Sequence, residues 1–88
     1  MKPILFSQHV LDQMPDRGAT RGEIEATIRT GELAPAKSKR LSYRKNFPFN
    51  KEWKGKKYAI KQVMPIIMEE SDRIIVVTVY VFYFGGAE

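Results

Sequence analysis

Arg73-Ile74-Ile75-Val76-Val77-Thr78-Val79-Tyr80-Val81-Phe82-Tyr83-Phe84 is the stretch on which the fold turns. Its β-branched and aromatic residues favour a pleated strand. The apolar run Ile74 to Phe84 has 11 residues, whereas a membrane helix needs about 20. Read with a period of two, one face holds Ile75, Val77, Val79, Val81 and Tyr83. The other holds Ile74, Val76, Thr78, Tyr80, Phe82 and Phe84. Both faces are apolar, so both require cover. Two short helices can cover one; a loop, a second copy or a partner must lie on the other.

Upstream, Glu70-Ser71-Asp72 forms a turn, and Lys57 to Glu69 reads as the antiparallel partner strand. Tyr58, Ile60, Gln62 and Met64 share one of its faces, and Ala59, Lys61 and Val63 the other. Pro65 cannot donate to a ladder, which predicts an edge position or a bulge. A bend is also expected because a flat strand of this length would run about 40 Å. Leu41 to Phe49 reads as a further strand, and Asn50 to Gly55 as a loop carrying the only Trp, Trp53.

The N-terminal third has helical spacing instead. Ser7 is a good N-cap, and Val10, Leu11 and Met14 fall on one face. Pro15 is expected to end this helix after barely two turns, with Asp16-Arg17-Gly18 as a turn or cap. Thr20-Arg21-Gly22-Glu23 is a capping-box pattern. Ile24, Thr27 and Ile28 form the buried stripe after it, and Gly31 ends the helix. The expected fold is therefore α+β: two short N-terminal helices, then a twisted antiparallel sheet of about four strands. Residues 1–88 form one domain, with Gly85 to Glu88 as a frayed end.

A chain of 88 residues has room for a single core. Its composition, 43% hydrophobic with 28% charged residues, is that of a globular domain. The absence of Cys excludes disulfide staples, a thiolate nucleophile and Cys-ligated zinc, and points to a cytoplasmic protein. Met1 to Phe6 lacks an export signal's apolar core, so no export is expected. So short a domain without staples also makes a homodimer or a folded-state partner a reasonable expectation.

Net charge is +5 and the pI about 9.6. The excess is concentrated between Lys37 and Lys61, where Lys37, Lys39, Arg40, Arg44, Lys45, Lys51, Lys54, Lys56, Lys57 and Lys61 are opposed only by Glu52. Tyr43, Phe47, Phe49, Trp53 and Tyr58 are interleaved with them. Cations for phosphates and rings for unstacked bases are what RNA binding requires. The plainer alternative is a lysine-rich sheet edge that resists aggregation.

With one His and no Gly-rich phosphate loop or Gly-x-Ser-x-Gly elbow, several enzyme classes drop out. The metal-free and cofactor-free chemistry left open is RNA cleavage by the substrate's own 2′-hydroxyl. His9 and Lys61 are the candidate catalytic groups. Arg17, Arg44, Lys45, Tyr43 and Tyr80 are the candidate nucleic-acid contacts; no metal site is expected. Each also has a structural reading. His9 lies on the flank of a helix stripe, Arg17 could cap a helix, Lys61 could sit on an edge strand, and Tyr80 could pack across strands.

Phe6-Ser7-Gln8-His9 with Met14, Arg17-Gly18, Glu23-Ile24 and Ile28 to Gly31 resembles a family of small bacterial proteins of unknown function. Their pattern is Phe-Ser-x-His, then Arg-Met, then Arg-Gly-Ile, ahead of a four-stranded sheet. The likeness extends from Phe6 to about Phe84, with its sharp part in the first thirty residues. Gln13 stands where the family usually has Arg, and Pro15 interrupts a usually continuous helix. The family is grouped with the RelE-like and barnase-like ribonuclease fold of many toxin–antitoxin toxins. The resemblance thus implies an RNA-directed, toxin-like domain with a cognate acidic antitoxin as partner, and matches His9 and Arg17 among the suspected residues. The rival readings are a non-catalytic module binding nucleic acid or protein, and a homo-oligomeric structural protein.

Overall fold

Caps set the two helices. The Ser7 side chain accepts from the Val10 backbone N–H to open α1, Gln8–Arg17. The Thr20–Glu23 capping box opens α2, Arg21–Thr30, with both reciprocal bonds formed at 3.0 and 3.1 Å. In the computed structural model, which describes residues 2–86, these helices pack on one face of a five-stranded sheet. Its strands are β1 (Ile4–Phe6), β2 (Glu32–Ala34), β3 (Leu41–Trp53), β4 (Lys56–Glu69) and β5 (Ile74–Gly86), in the spatial order β1-β5-β4-β3-β2. The α+β class is as read, but the sheet is mixed rather than purely antiparallel. The segment leading into α1 is itself a strand, parallel to β5 through Leu5 opposite Ile75. The other added strand, β2, is three residues of edge pairing on β3.

Pro15 does not stop α1. It lies exposed in the last turn, where its missing N–H removes one intrahelical bond and leaves the remaining turn intact. Gly18, at φ 77°, is the C-cap, and its N–H donates to the Met14 carbonyl. A Cβ at Gly18 would collide with the Tyr83 hydroxyl and the Trp53 ring, so the close approach also requires glycine.

The expected loop at Asn50–Gly55 is largely strand. β3 continues through a register shift between Pro48 and Lys51 to Trp53. A two-residue turn, Lys54 and Gly55, both at positive φ, then enters β4. Pro65 is neither on an edge strand nor at the bulge itself. It is buried in β4 between β3 and β5. No residue is paired between Ser42–Ile66 and Lys45–Val63 among the described residues, which leaves Pro65 without a donor to supply.

The bulge lies one step further on, where β4–β5 pairing shifts between Ile66–Thr78 and Ile67–Val76. One extra residue of β5 changes which side chains share a face. Val76, Val79, Val81 and Tyr83 therefore lie on the helix side, and Tyr80, Phe82 and Phe84 on the opposite side. The uninterrupted alternation expected for Arg73–Phe84 placed Val76 with Tyr80. Gly85 and Gly86 are part of β5, with Gly86 opposite Tyr58, rather than frayed; Ala87 and Glu88 lie outside the described residues.

Between the helices and the sheet lies a core of Val10, Ala19, Ile24, Val63, Ile67, Val76 and Val79. The edge of β5 beyond β1 is closed by α1: Gln13 Oε1 accepts from the Val79 N–H at 3.0 Å and the Thr78 hydroxyl at 2.7 Å, while Arg17 donates to the Val79 carbonyl. Truncating fully buried Ile24 to Ala is expected to lower stability by about 2–5 kcal/mol. Urea unfolding should show the midpoint falling with the slope preserved.

Candidate nucleic-acid interface

Lys61 projects from β4 to the helix side, where the ammonium is only 6% exposed as a residue and has two anionic or dipolar partners. Its Nζ lies 2.8 Å from Glu23 Oε1 and also donates to the Gly18 carbonyl. Glu23 is the same carboxylate that accepts from Thr20 N–H in the capping box. The lysine thus binds the α1–α2 junction to the sheet and is occupied in doing so. Tyr83 donates from its hydroxyl to the Arg17 carbonyl at 2.8 Å. Trp53 stacks on the Tyr83 ring at 4.9 Å, with Phe49 and Tyr58 tilted around it at 5.2 and 5.6 Å. Burial, and then the nearby Glu23 carboxylate, hold the Tyr83 phenol above its ordinary pKa of 10.0.

His9 is exposed in the first turn of α1 and has no hydrogen bond or ion pair among the described residues. Lys61 meets the chain at Gly18, nine positions later, which at 1.5 Å per helical residue is about 13 Å away. The two candidate catalytic residues are not brought together. Among the described residues there is also no group of three or more His, Asp or Glu able to hold a metal, and no helix long and apolar enough to cross a membrane.

The other candidates divide between the two sides of the sheet. Tyr43 is half-buried against the core, and Lys45 is on the same helix-facing side of β3. Arg44 pairs with Glu32 at 2.8 Å beside a small cleft of 180 Å³. Arg17 and Tyr80 do come together: the guanidinium lies 5.3 Å from the ring centroid, in a cleft of 230 Å³ that also includes Trp53 and Lys54. Tyr80 is not packed into the core. It is 41% exposed and begins a row with Phe82 at 45% and Phe84 at 40%.

This row is the main feature of the face left bare by the helices. Met64, Gln62 and Ile60 of β4 lie opposite Tyr80, Phe82 and Phe84. Gln62 donates to the Asn46 side chain at 2.9 Å, a polar step in an otherwise apolar surface. Alternate strand residues are about 7 Å apart, and the Tyr80 and Phe82 rings are separated by 6.5 Å. Of the basic run, Lys37 and Arg40 line a cleft with Tyr80 at one end of the row, while Lys56 lies over the ring of Tyr58, which packs against Tyr83. Phe82 and Phe84 were not singled out from the sequence, although their alternation with Val81 and Tyr83 is the signal of a common face.

No family model, curated protein or solved structure matches the chain.

Removing Lys61 leaves the Glu23 carboxylate without its cation, and Lys61→Met is expected to lose roughly 2–4 kcal/mol. The double variant Lys61→Met/Glu23→Gln should recover part of that loss in urea unfolding, because the unpaired charge is gone. Tyr83 gives a separate signature. A raised folded-state pKa stabilises the protein fully below about pH 10, and the contribution falls as pH rises through the higher folded value. Absorbance titration of the phenolate should show one late tyrosine that disappears in Tyr83→Phe.

Proposed function

We propose that the chain is a single-stranded-RNA-binding domain whose binding surface is the bare sheet face. The observation that carries this reading is the exposed Tyr80–Phe82–Phe84 row, with Lys37 and Arg40 at its Tyr80 end. Rings spaced along a strand offer successive stacking platforms, and unpaired bases of any sequence present a π-face to them. The cations at the Tyr80 end of the row suit the phosphates that link such bases. The Asn46–Gln62 amide pair adds donors and acceptors beside Phe82 for base edges.

Two helices on one side of a twisted sheet also agree with the toxin-type, RelE-like and barnase-like fold that the N-terminal motif resembles. Within that reading the domain binds RNA in a toxin–antitoxin system. Cleavage through a His9–Lys61 pair has no geometric support, since one group is remote and the other is engaged by Glu23 and Gly18. Binding is therefore the activity the geometry supports best.

A fluorescein-labelled single-stranded RNA of about ten nucleotides, followed by anisotropy, is the direct test. Affinity should fall with rising salt, and duplex RNA should bind more weakly. Phe82→Ala and Phe84→Ala should each lose about 1–3 kcal/mol of binding, with circular dichroism unchanged, and His9→Ala should bind as wild type. Unaltered binding in both Phe variants would sink the reading. So would failure to bind RNA together with a concentration-dependent dimer in sedimentation, because a second copy would then cover the row.

A further inference from the structure

We propose that the cleft between the Lys37–Arg40 turn and the bare sheet face is a nucleotide site, with the base stacked on Tyr80 and its phosphate held between Lys37 and Arg40. The inference deepens the RNA-binding reading and rests on it for its biological ligand.

The cleft has a volume of 480 Å³, within the roughly 300–1,000 Å³ of small-molecule sites. Its walls match the two halves of a nucleotide. Ile66 and Tyr80 supply an aliphatic and an aromatic surface from the sheet, and Lys37, Ser38 and Arg40 supply two cations and a hydroxyl from the loop. No carboxylate lines it among the described residues.

The loop backbone brings the cations to one place. Arg40 N–H donates to the Lys37 carbonyl at 3.3 Å, with Ser38 at φ 60°, so the two residues flank a single tight turn. Neither forms an ion pair among the described residues, unlike Arg44 with Glu32 or Lys61 with Glu23. Two unneutralised cations at one turn fit a phosphate dianion better than a neutral ligand.

Tyr80 is set for the other half. Arg17 sits within cation–π distance of its ring from the α1 side, and the ring is a shared wall of the Arg17 cleft and this one. A ring steadied by a guanidinium is an ordered stacking platform. Beneath the loop, Ser42 lies in register between Ile66, a wall residue, and Ala34, the residue before the loop, so the cleft floor is regular sheet.

The test is an amide-resolved NMR titration of the whole chain with adenosine 5′-monophosphate, adenosine and inorganic phosphate. Saturable shifts are expected at Ser38, Arg40, Ile66 and Tyr80 with the monophosphate, and at least about tenfold weaker binding of either half alone. Arg40→Ala, an exposed position that leaves folding intact, should weaken the monophosphate by about tenfold. Phe84→Ala should leave it unchanged while weakening RNA. Shifts confined to the Lys54–Lys57 turn, or equal affinity in wild type and Arg40→Ala, overturn the site. RNA binding without monophosphate binding overturns the cleft and leaves the RNA reading standing. Saturable monophosphate binding without RNA binding does the reverse, and makes the ligand a free nucleotide.

Discussion

An ammonium held inside a sheet governs this structure. Lys61 sits in the middle of β4 with its charge almost wholly removed from water. Such a group is tolerated only where partners replace the lost hydration. Here the partners are the terminus of one helix, through the Gly18 carbonyl, and the start of the next, through Glu23. Because Glu23 also closes the capping box, the start of α2 and its docking on β4 are one arrangement. Lys61 thereby fixes which side of the sheet receives the helices. The Tyr83 hydroxyl on Arg17 and the Trp53 ring beside Gly18 close the same junction from the sheet.

The consequence is a sheet covered on one side. The helices bury Val76, Val79 and their neighbours, and the opposite side keeps Tyr80, Phe82 and Phe84 at the surface. Three exposed aromatics in a row are more than scattered surface apolar residues, and they are the patch on which the proposed binding rests. The loop preceding β3 reaches over part of that side, at Ile66 and Tyr80, and leaves the remainder bare. The bulge after Ile66 matters as much as the helices do, since without it Tyr80 would share a face with the buried Val76.

Features resting on local chemistry were legible in the sequence. Ser7, the Thr20–Glu23 box, Gly31 and the Glu70–Asp72 turn each act through neighbours a few residues away. The face of Lys61 and Val63 was legible because β4 alternates strongly there. β5 was not legible beyond its existence: when both faces are apolar, a period-two pattern carries no information about where an extra residue shifts the register. Pro15 and Pro65 misled for a related reason. A missing N–H is costly only where a partner carbonyl needs it, and that depends on position in the last turn or on a gap in a distant strand's ladder. Arg17 and Lys61 were recognised as unusual, yet the sequence could not show that Val79, Gly18 and Glu23 already occupied them.

Occupied and unoccupied cations separate architecture from recognition. Lys61 and Arg17 are engaged by main-chain carbonyls or a half-buried carboxylate, so they contribute to folding and have little left for a ligand. Lys37 and Arg40 are exposed, without carboxylate partners among the described residues, in a chain whose net charge is +5. Unpaired surface charges of one sign add nothing to stability and repel each other. Their clustering at a turn beside an exposed tyrosine is therefore poorly explained by the fold alone. A polyanion on that face would relieve the repulsion and bury the rings in the same step.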